Sequence, residues 1–177
     1  PLGDRSGLIR WVDGSAPIFS LHRKWHLQKQ QQQQQQQQDE KFTIQPFRPV
    51  DLFYDKLVPL LKQHGIKNAI HPYPMDIVKQ VIKELSAEMP RDLLAKEIWL
   101  KSNDLDEWWD KTRMFNRSLG VMSIIGYIIG LGDRHLDNIL YDYNNGEVVH
   151  IDYNVCFDKG KQLKVPEVVP FRMTPVL

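Results

Sequence analysis

Four side chains in one short stretch could do chemistry together. Asp133, His135, Asn138 and Asp152 lie in GLGDRHLDNILYDYNNGEVVHID, residues 130–152, a segment otherwise rich in apolar residues. Asp152 offers a charged oxygen and Asn138 a neutral one. Magnesium favours oxygen ligands and usually takes one or two carboxylates plus phosphate oxygens and water. Asp133 can accept the proton of an incoming hydroxyl or orient that hydroxyl. His135, two residues on, can share the task as a neutral imidazole near pH 7. Metal ligands beside a proton acceptor suit phosphoryl transfer, which needs positioning and charge compensation more than covalent help. Taken singly, an Asp or Asn here is as readily a cap or a turn former. The ordered set carries the reading, and it leaves Asp133 and His135 both open as the base.

The elements that must position these groups are also legible. Ile139-Leu140-Tyr141 and Val148-Val149-His150-Ile151 read as two short strands, and Asn144-Asn145-Gly146 between them tolerates the positive φ of a tight turn. Such a hairpin brings Asn138 and Asp152 to its open end, where both can face one metal. Upstream, Asp104 to about Gly130 reads as the longest helix. Asp104 with Glu107 forms a capping box at its start, and Gly130 and Gly132 provide a stop. Its C-terminal half is apolar on nearly every side, which predicts a central buried helix delivering Asp133 from a rigid base. The Asp133-to-Asn138 interval matches the H-R-D-x-x-x-x-N loop of protein kinases, with the triplet reordered to D-R-H. Asp152-Tyr153-Asn154 stands where D-F-G would be.

GLGDRHLDNIL, VVHIDYNVCF and VPFRMT together resemble the phosphatidylinositol 3-kinase-related protein kinases. PLGDRSGLIRWVDG near the start and HIDYNVCFDKGKQLKVPEVVPFRMT near the end resemble, within them, the branch acting in nonsense-mediated mRNA decay. The resemblance covers Pro1 to about Trp25 and about Leu93 to Thr174. It implies a mostly α fold with a short β-hairpin, the C-terminal lobe of a bilobal PI3/PI4-kinase-type catalytic domain. The whole chain, 1–177, would be part of that domain: a hinge strand at 6–13, a helical lobe at 17–131, a catalytic loop at 130–140, and a metal-binding and activation segment at 150–174. By the same resemblance Asp133 and His135 are catalytic, and Asn138 and Asp152 hold Mg2+ or Mn2+. Ile9, Trp11 and the Val12 backbone contact the adenine of ATP, and Val169, Pro170, Phe171 and Arg172 support a peptide substrate. The implied activity is ATP-dependent phosphorylation of Ser or Thr followed by Gln. The implied substrate is the up-frameshift RNA helicase of mRNA surveillance, with regulatory subunits as further partners. The alternatives are a phosphatidylinositol lipid kinase, which shares D-R-H-x-x-N, and a pseudokinase scaffold. A glycine-rich phosphate loop and a phosphate-binding Lys would precede the hinge, so the chain reads as a fragment and is expected to be inactive alone. Read from its residues without the resemblance, Trp11 is simply core.

The remaining chain sets bounds. With 177 residues, a net charge of +1 and one cysteine, it can hold one core, has no global pull toward nucleic acid or membrane, and makes no internal disulfide. Cys156 reads as a small buried hydrophobe. With no secretory signal in sight and its longest apolar run, Leu119–Leu131, shorter than a membrane span, the expected location is the cytoplasm, with the nucleus as a second compartment. Pro17 to about Gln38 begins as a helix, and within its low-complexity part, 28–38, nine consecutive glutamines from Gln30 predict disorder or fraying. His22 and His26, four apart, could meet a zinc ion but read as solvated helix histidines. Trp108-Trp109 reads as a packing anchor. Asp39–Pro49 is a linker. Val50–His64, Met75–Met89 and Pro90–Trp99 are further helices, the first two without chemical signature.

Overall fold

The computed structural model describes residues 3, 6–37, 49–66, 73–163, 166 and 167. Among them run β1 (Ser15–Pro17), α1 (Phe19–Gln37), α2 (Pro49–Gln63), α3 (Met75–Glu88), α4 (Leu93–Leu100), α5 (Leu105–Ile128), β2 (Ile139–Asp142) and β3 (Val148–His150). A 3₁₀ turn follows at Lys159–Gln162. The fold is mostly helical with one small sheet, as expected. The chain divides into two compact units, one taking residues up to Lys24 and from Asp92 onward, the other Trp25–Arg91. Of the expected linker, Asp39–Pro49, only Pro49 is described, as the first residue of α2; the rest of it and the segment 169–172 lie outside the described residues.

The first unit holds the sheet, in the order β1-β2-β3, antiparallel throughout. The hairpin register pairs Ile139 with His150 and Tyr141 with Val148. Its turn is fastened by Asp142, whose carboxylate accepts from the Asn144 amide at 2.8 Å and the Asn145 side chain at 3.2 Å. Gly146 adopts φ +78° with its Cα against α5, where a Cβ would stand 2.6 Å from the Cα and carbonyl oxygen of Lys111. Ser118 on α5 takes the Val148 N–H at 2.9 Å, so the helix binds the hairpin by its backbone as well as by packing. Phe115, Ile139, Leu140, Tyr141 and Val148 are buried there, with the Phe115 and Tyr141 rings 6.1 Å apart.

α5 begins on a side-chain cap. Asp104 accepts the Glu107 N–H at 2.8 Å, and Glu107 reaches back one residue further than a capping box, to the Asn103 N–H at 2.7 Å. The helix ends in a Schellman turn: Leu131 N–H bonds to the Gly126 carbonyl at 2.8 Å, and Gly130 takes φ +58°. The expectation of an all-round buried C-terminal half fails. Val121, Ile124, Ile125 and Tyr127 are exposed, and Ile128 is 73 % exposed. One face alone meets the sheet; apolar composition says a side chain can be buried, not that something covers it.

Three further expectations are corrected. Residues 7–12 form no strand, and Trp11 is 71 % exposed rather than core, with Ile9 beside it 96 % exposed. A strand needs a neighbour for its amides and carbonyls, and β2 spends its free edge on Ser15–Pro17 instead. The glutamine run is helical as far as Gln37, in keeping with the good helix propensity of Gln. His22 is 3 % exposed, not solvated, on the buried face it shares with Leu21. Burial lowers the His22 pKa, which keeps the ring neutral.

The second unit is a helical pair. Leu57 and Leu61 of α2 and Ile77 and Val81 of α3 form its buried cluster, as their helical spacing predicts. Lys56 ties the two helices at the surface, 2.7 Å from Glu88.

Replacing Gly146 with alanine is expected to destabilise the folded chain by about 1–3 kcal/mol, because the left-handed backbone and the contact with Lys111 both oppose a Cβ. Chemical denaturation checks this; an unchanged midpoint would show that the turn is free to relax away from α5.

Candidate active site

After α5 stops, Gly132 donates to the Val155 carbonyl at 2.8 Å, and Asp133 follows at φ +56°. A left-handed backbone is uncommon outside glycine and costs about 1 kcal/mol or more. Both main-chain groups of Asp133 are held by side chains. Its N–H donates to Glu167 Oε1 at 2.8 Å, and its carbonyl accepts Asn138 Nδ2–H at 3.0 Å. The Asp133 carboxylate is half-exposed, and His135 Nε2 lies 3.9 Å from it, beyond hydrogen-bond reach.

Asn138 is buried, and the bond from its Nδ2 to the Asp133 carbonyl fixes which way the amide faces. Oδ1 is thereby left as the group's outward acceptor. The Asn138 carbonyl takes Ile151 N–H at 3.1 Å, extending the hairpin one step past its last paired residues. Asp152 comes next, exposed, with φ +59°. Its Oδ1 accepts Asn154 N–H at 3.3 Å, closing a short Asx turn in which Asn154 stands where a glycine was the alternative.

Arg134 is the residue that sequence reasoning passed over. Its Nε donates to the Gly132 carbonyl at 2.8 Å and its Nη1 to the Ile151 carbonyl at 2.7 Å and the Asn138 carbonyl at 3.5 Å, and Nη2 donates to the Asp152 carbonyl. The guanidinium also lies 5.9 Å from the Tyr153 ring centre, within cation–π range. One side chain thus joins the loop bearing Asp133 to the segment bearing Asp152. Its position between two candidate residues was the available signal; its partners are backbone carbonyls, which no motif spells out.

His150 lies beneath this clamp. Neither ring nitrogen has a partner, and burial together with the Arg134 charge lowers its pKa to about 4. Cys156 is buried as expected, its Sγ 3.0 Å from the Tyr153 carbonyl.

Backbone bonds made by the Asn138 and Arg134 side chains tie the loop bearing Asp133 to the segment bearing Asp152, and His135 Nε2 lies 3.9 Å from the Asp133 carboxylate. The structure does not join Ile9, Trp11 and Val12 to them: among the described residues no hydrogen bond or ring contact links the two groups. The Val12 carbonyl accepts the Ser15 hydroxyl at 2.7 Å. Val169, Pro170, Phe171 and Arg172 lie outside the described residues. No group of three or more His, Cys, Asp or Glu side chains among the described residues could hold a metal ion, His22 and His26 included. A divalent cation here would have one carboxylate, Asp152, and one amide oxygen, Asn138, with the rest of its shell from phosphate and water. That donor set fits magnesium or manganese bound with a nucleotide better than a resident structural metal. No helix among the described residues is long and apolar enough to cross a membrane.

A mostly helical lobe with a hairpin whose open end presents D-R-H-x-x-N and Asp152 is the architecture of a kinase catalytic lobe. The chain belongs to the phosphatidylinositol 3- and 4-kinase family, matching it over residues 1–177. It is 50 % identical to the serine/threonine-protein kinase SMG1 of Danio rerio over 181 residues and 48 % identical to Smg1 of Drosophila melanogaster over 176, each alignment covering 98 % of this chain. It is 34 % identical to mTor of Drosophila melanogaster across 100 % of its length. The chain spans 5 % of the length of the two SMG1 relatives. Among solved structures, the FAT and kinase domain of CtTel1 superposes with a TM-score of 0.69 at 26 % identity, covering 99 % of this chain and 11 % of that one.

The depressed His150 pKa has a sign. The unfolded chain takes up this proton near pH 6.5, the folded chain only near pH 4. Its contribution is fully present above about pH 6.5 and is lost as pH falls toward 4. Denaturation midpoints at pH 7 and pH 5 should differ accordingly, and His150→Leu should flatten that interval; an equal slope in the variant would place the loss elsewhere.

Proposed function

We propose that the complete protein containing this chain is an ATP-dependent serine/threonine protein kinase that acts on Ser or Thr followed by Gln. Its proposed substrate is the RNA helicase of mRNA surveillance, and its proposed setting is the cytoplasm, with regulatory subunits as partners. The observation that supports the activity is the backbone bracing of the candidate groups: Asn138 Nδ2 holds the Asp133 carbonyl, which leaves Asn138 Oδ1 as its acceptor, and Arg134 holds the Ile151 and Asp152 carbonyls. The SMG1 names at 42–50 % identity support the protein-kinase reading. The substrate and its Gln preference rest on the resemblance of Pro1 to about Trp25 and about Leu93 to Thr174 to the branch acting in nonsense-mediated mRNA decay.

In this reading a divalent cation held by Asn138 and Asp152 supplies charge neutralisation at the transferring phosphates. Asp133 orients the substrate hydroxyl and takes its proton, and its free carboxylate favours it over His135. His135, exposed and 3.9 Å away, is placed to relay that proton or to contact the phosphate. Ile9, Trp11 and the Val12 backbone are proposed to meet the adenine; Ile9 and Trp11 are exposed, which leaves an aromatic face for it. The isolated chain is expected to turn over no ATP.

The family's own description keeps lipid phosphorylation as a second reading. One assay separates them. The complete protein should phosphorylate a Ser-Gln peptide and not phosphatidylinositol vesicles, and Asp152→Ala should lower peptide turnover by roughly a thousandfold with folding unchanged. Transfer to the lipid alone would reverse the order. Turnover in Asp152→Ala close to wild type would remove the quartet from the reaction.

A further inference from the structure

Glu167 lies in the expected activation segment, 150–174, with no role assigned to it, yet its side chain holds the amide of the proposed base. It sits two residues before Val169, at the end of the described chain that follows Asp152. Its own N–H donates to the Gly160 carbonyl at 3.1 Å, which pins its backbone to the 3₁₀ turn. Its Oε1 accepts the Asp133 N–H at 2.8 Å. Its Oε2 occupies the space beside Gly132 and Gly160: a Cβ at Gly160 would come within 2.7 Å of it, and one at Gly132 would overlap it. Two glycines thus leave a slot that the carboxylate fills. A cavity of about 420 Å3 adjoins it, lined by Tyr127, Gly130, Gly132, Lys161, Pro166 and Glu167, and by none of the quartet.

The arrangement answers a specific need. Asp133 sits just beyond a helix stop with φ +56°, so no helical carbonyl is in place for its N–H. An unpaired, half-buried amide at a strained residue would let that residue swing to an ordinary φ and carry its carboxylate away. A charged acceptor meets that amide with one of the stronger hydrogen bonds available. Asn138 secures the carbonyl of the same residue, so the two bonds together set the direction of its side chain.

We propose that Glu167 is a positioning residue for phosphoryl transfer. It locks Asp133 in its left-handed conformation. The proposal rests on the protein-kinase reading for its effect on turnover. Its structural half, the lock itself, does not.

The test uses the complete protein in three forms, wild type, Glu167→Ala and Glu167→Gln, with two readouts. Hydrogen exchange of the peptide spanning Asp133 reports the lock without any assumption about activity. Peptide phosphorylation, read as kcat and KM separately, reports its consequence. Glu167→Ala should speed exchange around Asp133 and lower kcat about ten- to a hundredfold, with KM for ATP within about twofold. Glu167→Gln keeps an acceptor oxygen in the slot and should hold kcat within about fivefold of wild type. Gln falling as far as Ala, or Ala leaving both exchange and kcat unchanged, would overturn the proposal. A rise in KM for ATP with kcat intact would assign Glu167 to nucleotide binding and overturn it too. Faster exchange in Glu167→Ala together with no peptide phosphorylation by wild type would uphold the lock while removing the protein-kinase reading.

Discussion

A single guanidinium carries the geometry of this lobe. Asp133 and Asp152 are far apart in sequence, and the hairpin ladder between them ends at Ile139 and His150, before either is reached. One further backbone bond, from Ile151 to Asn138, continues the pairing. From there Arg134 takes over, bonding carbonyls at Gly132, Asn138, Ile151 and Asp152. A planar group with five donors can span carbonyls on separate segments; a lysine ammonium, a point donor on a flexible stem, cannot hold the same fork. The neutral His150 beneath it is part of the same constraint, since a second cation there would repel the first.

Strain gathers where the chemistry is proposed. Asp133 and Asp152 both have positive φ without being glycine, and so do Phe157 and Asp158 in the segment that follows. Each such residue costs about 1 kcal/mol or more, and it persists only when its surroundings over-determine it. For Asp133 the surroundings are Glu167 and Asn138; for Asp152 they are the Arg134 bond to its carbonyl and the Asx turn to Asn154. For Asp133 the main chain is bound and the carboxylate is left to act; for Asp152 the Asx turn takes one carboxylate oxygen and leaves the other. Freedom at the side chain is obtained by fixing the backbone behind it.

The sequence made the local parts plain and hid the tertiary ones. The Asn-Asn-Gly turn, the Asp104 cap and the Gly130 stop are short-range chemistry, and each is found where its residues stand. The ordered quartet stands out in the sequence because metal ligation and proton transfer would call for such side chains. Arg134 and Glu167 do not, because they bind main-chain carbonyls and amides, which every sequence has and none advertises. His22, Trp11 read as core, and the far half of α5 were misjudged for a related reason: helical spacing or apolar character does not reveal which face meets a neighbour. The strand expected at 6–13 failed because a strand is defined by its partner, and β2 was already paired.

The central claim is that Asn138 and Asp152 share one divalent cation in front of the Asp133 carboxylate. A structure of the complete protein with a non-hydrolysable ATP analogue and Mg2+ tests it most directly. The account predicts a cation bound by Asn138 Oδ1 and an Asp152 carboxylate oxygen, each at about 2.0–2.1 Å, with phosphate oxygens completing its shell. A nucleotide-bound cation ligated by neither residue, with Arg134 still spanning the same carbonyls, would contradict it.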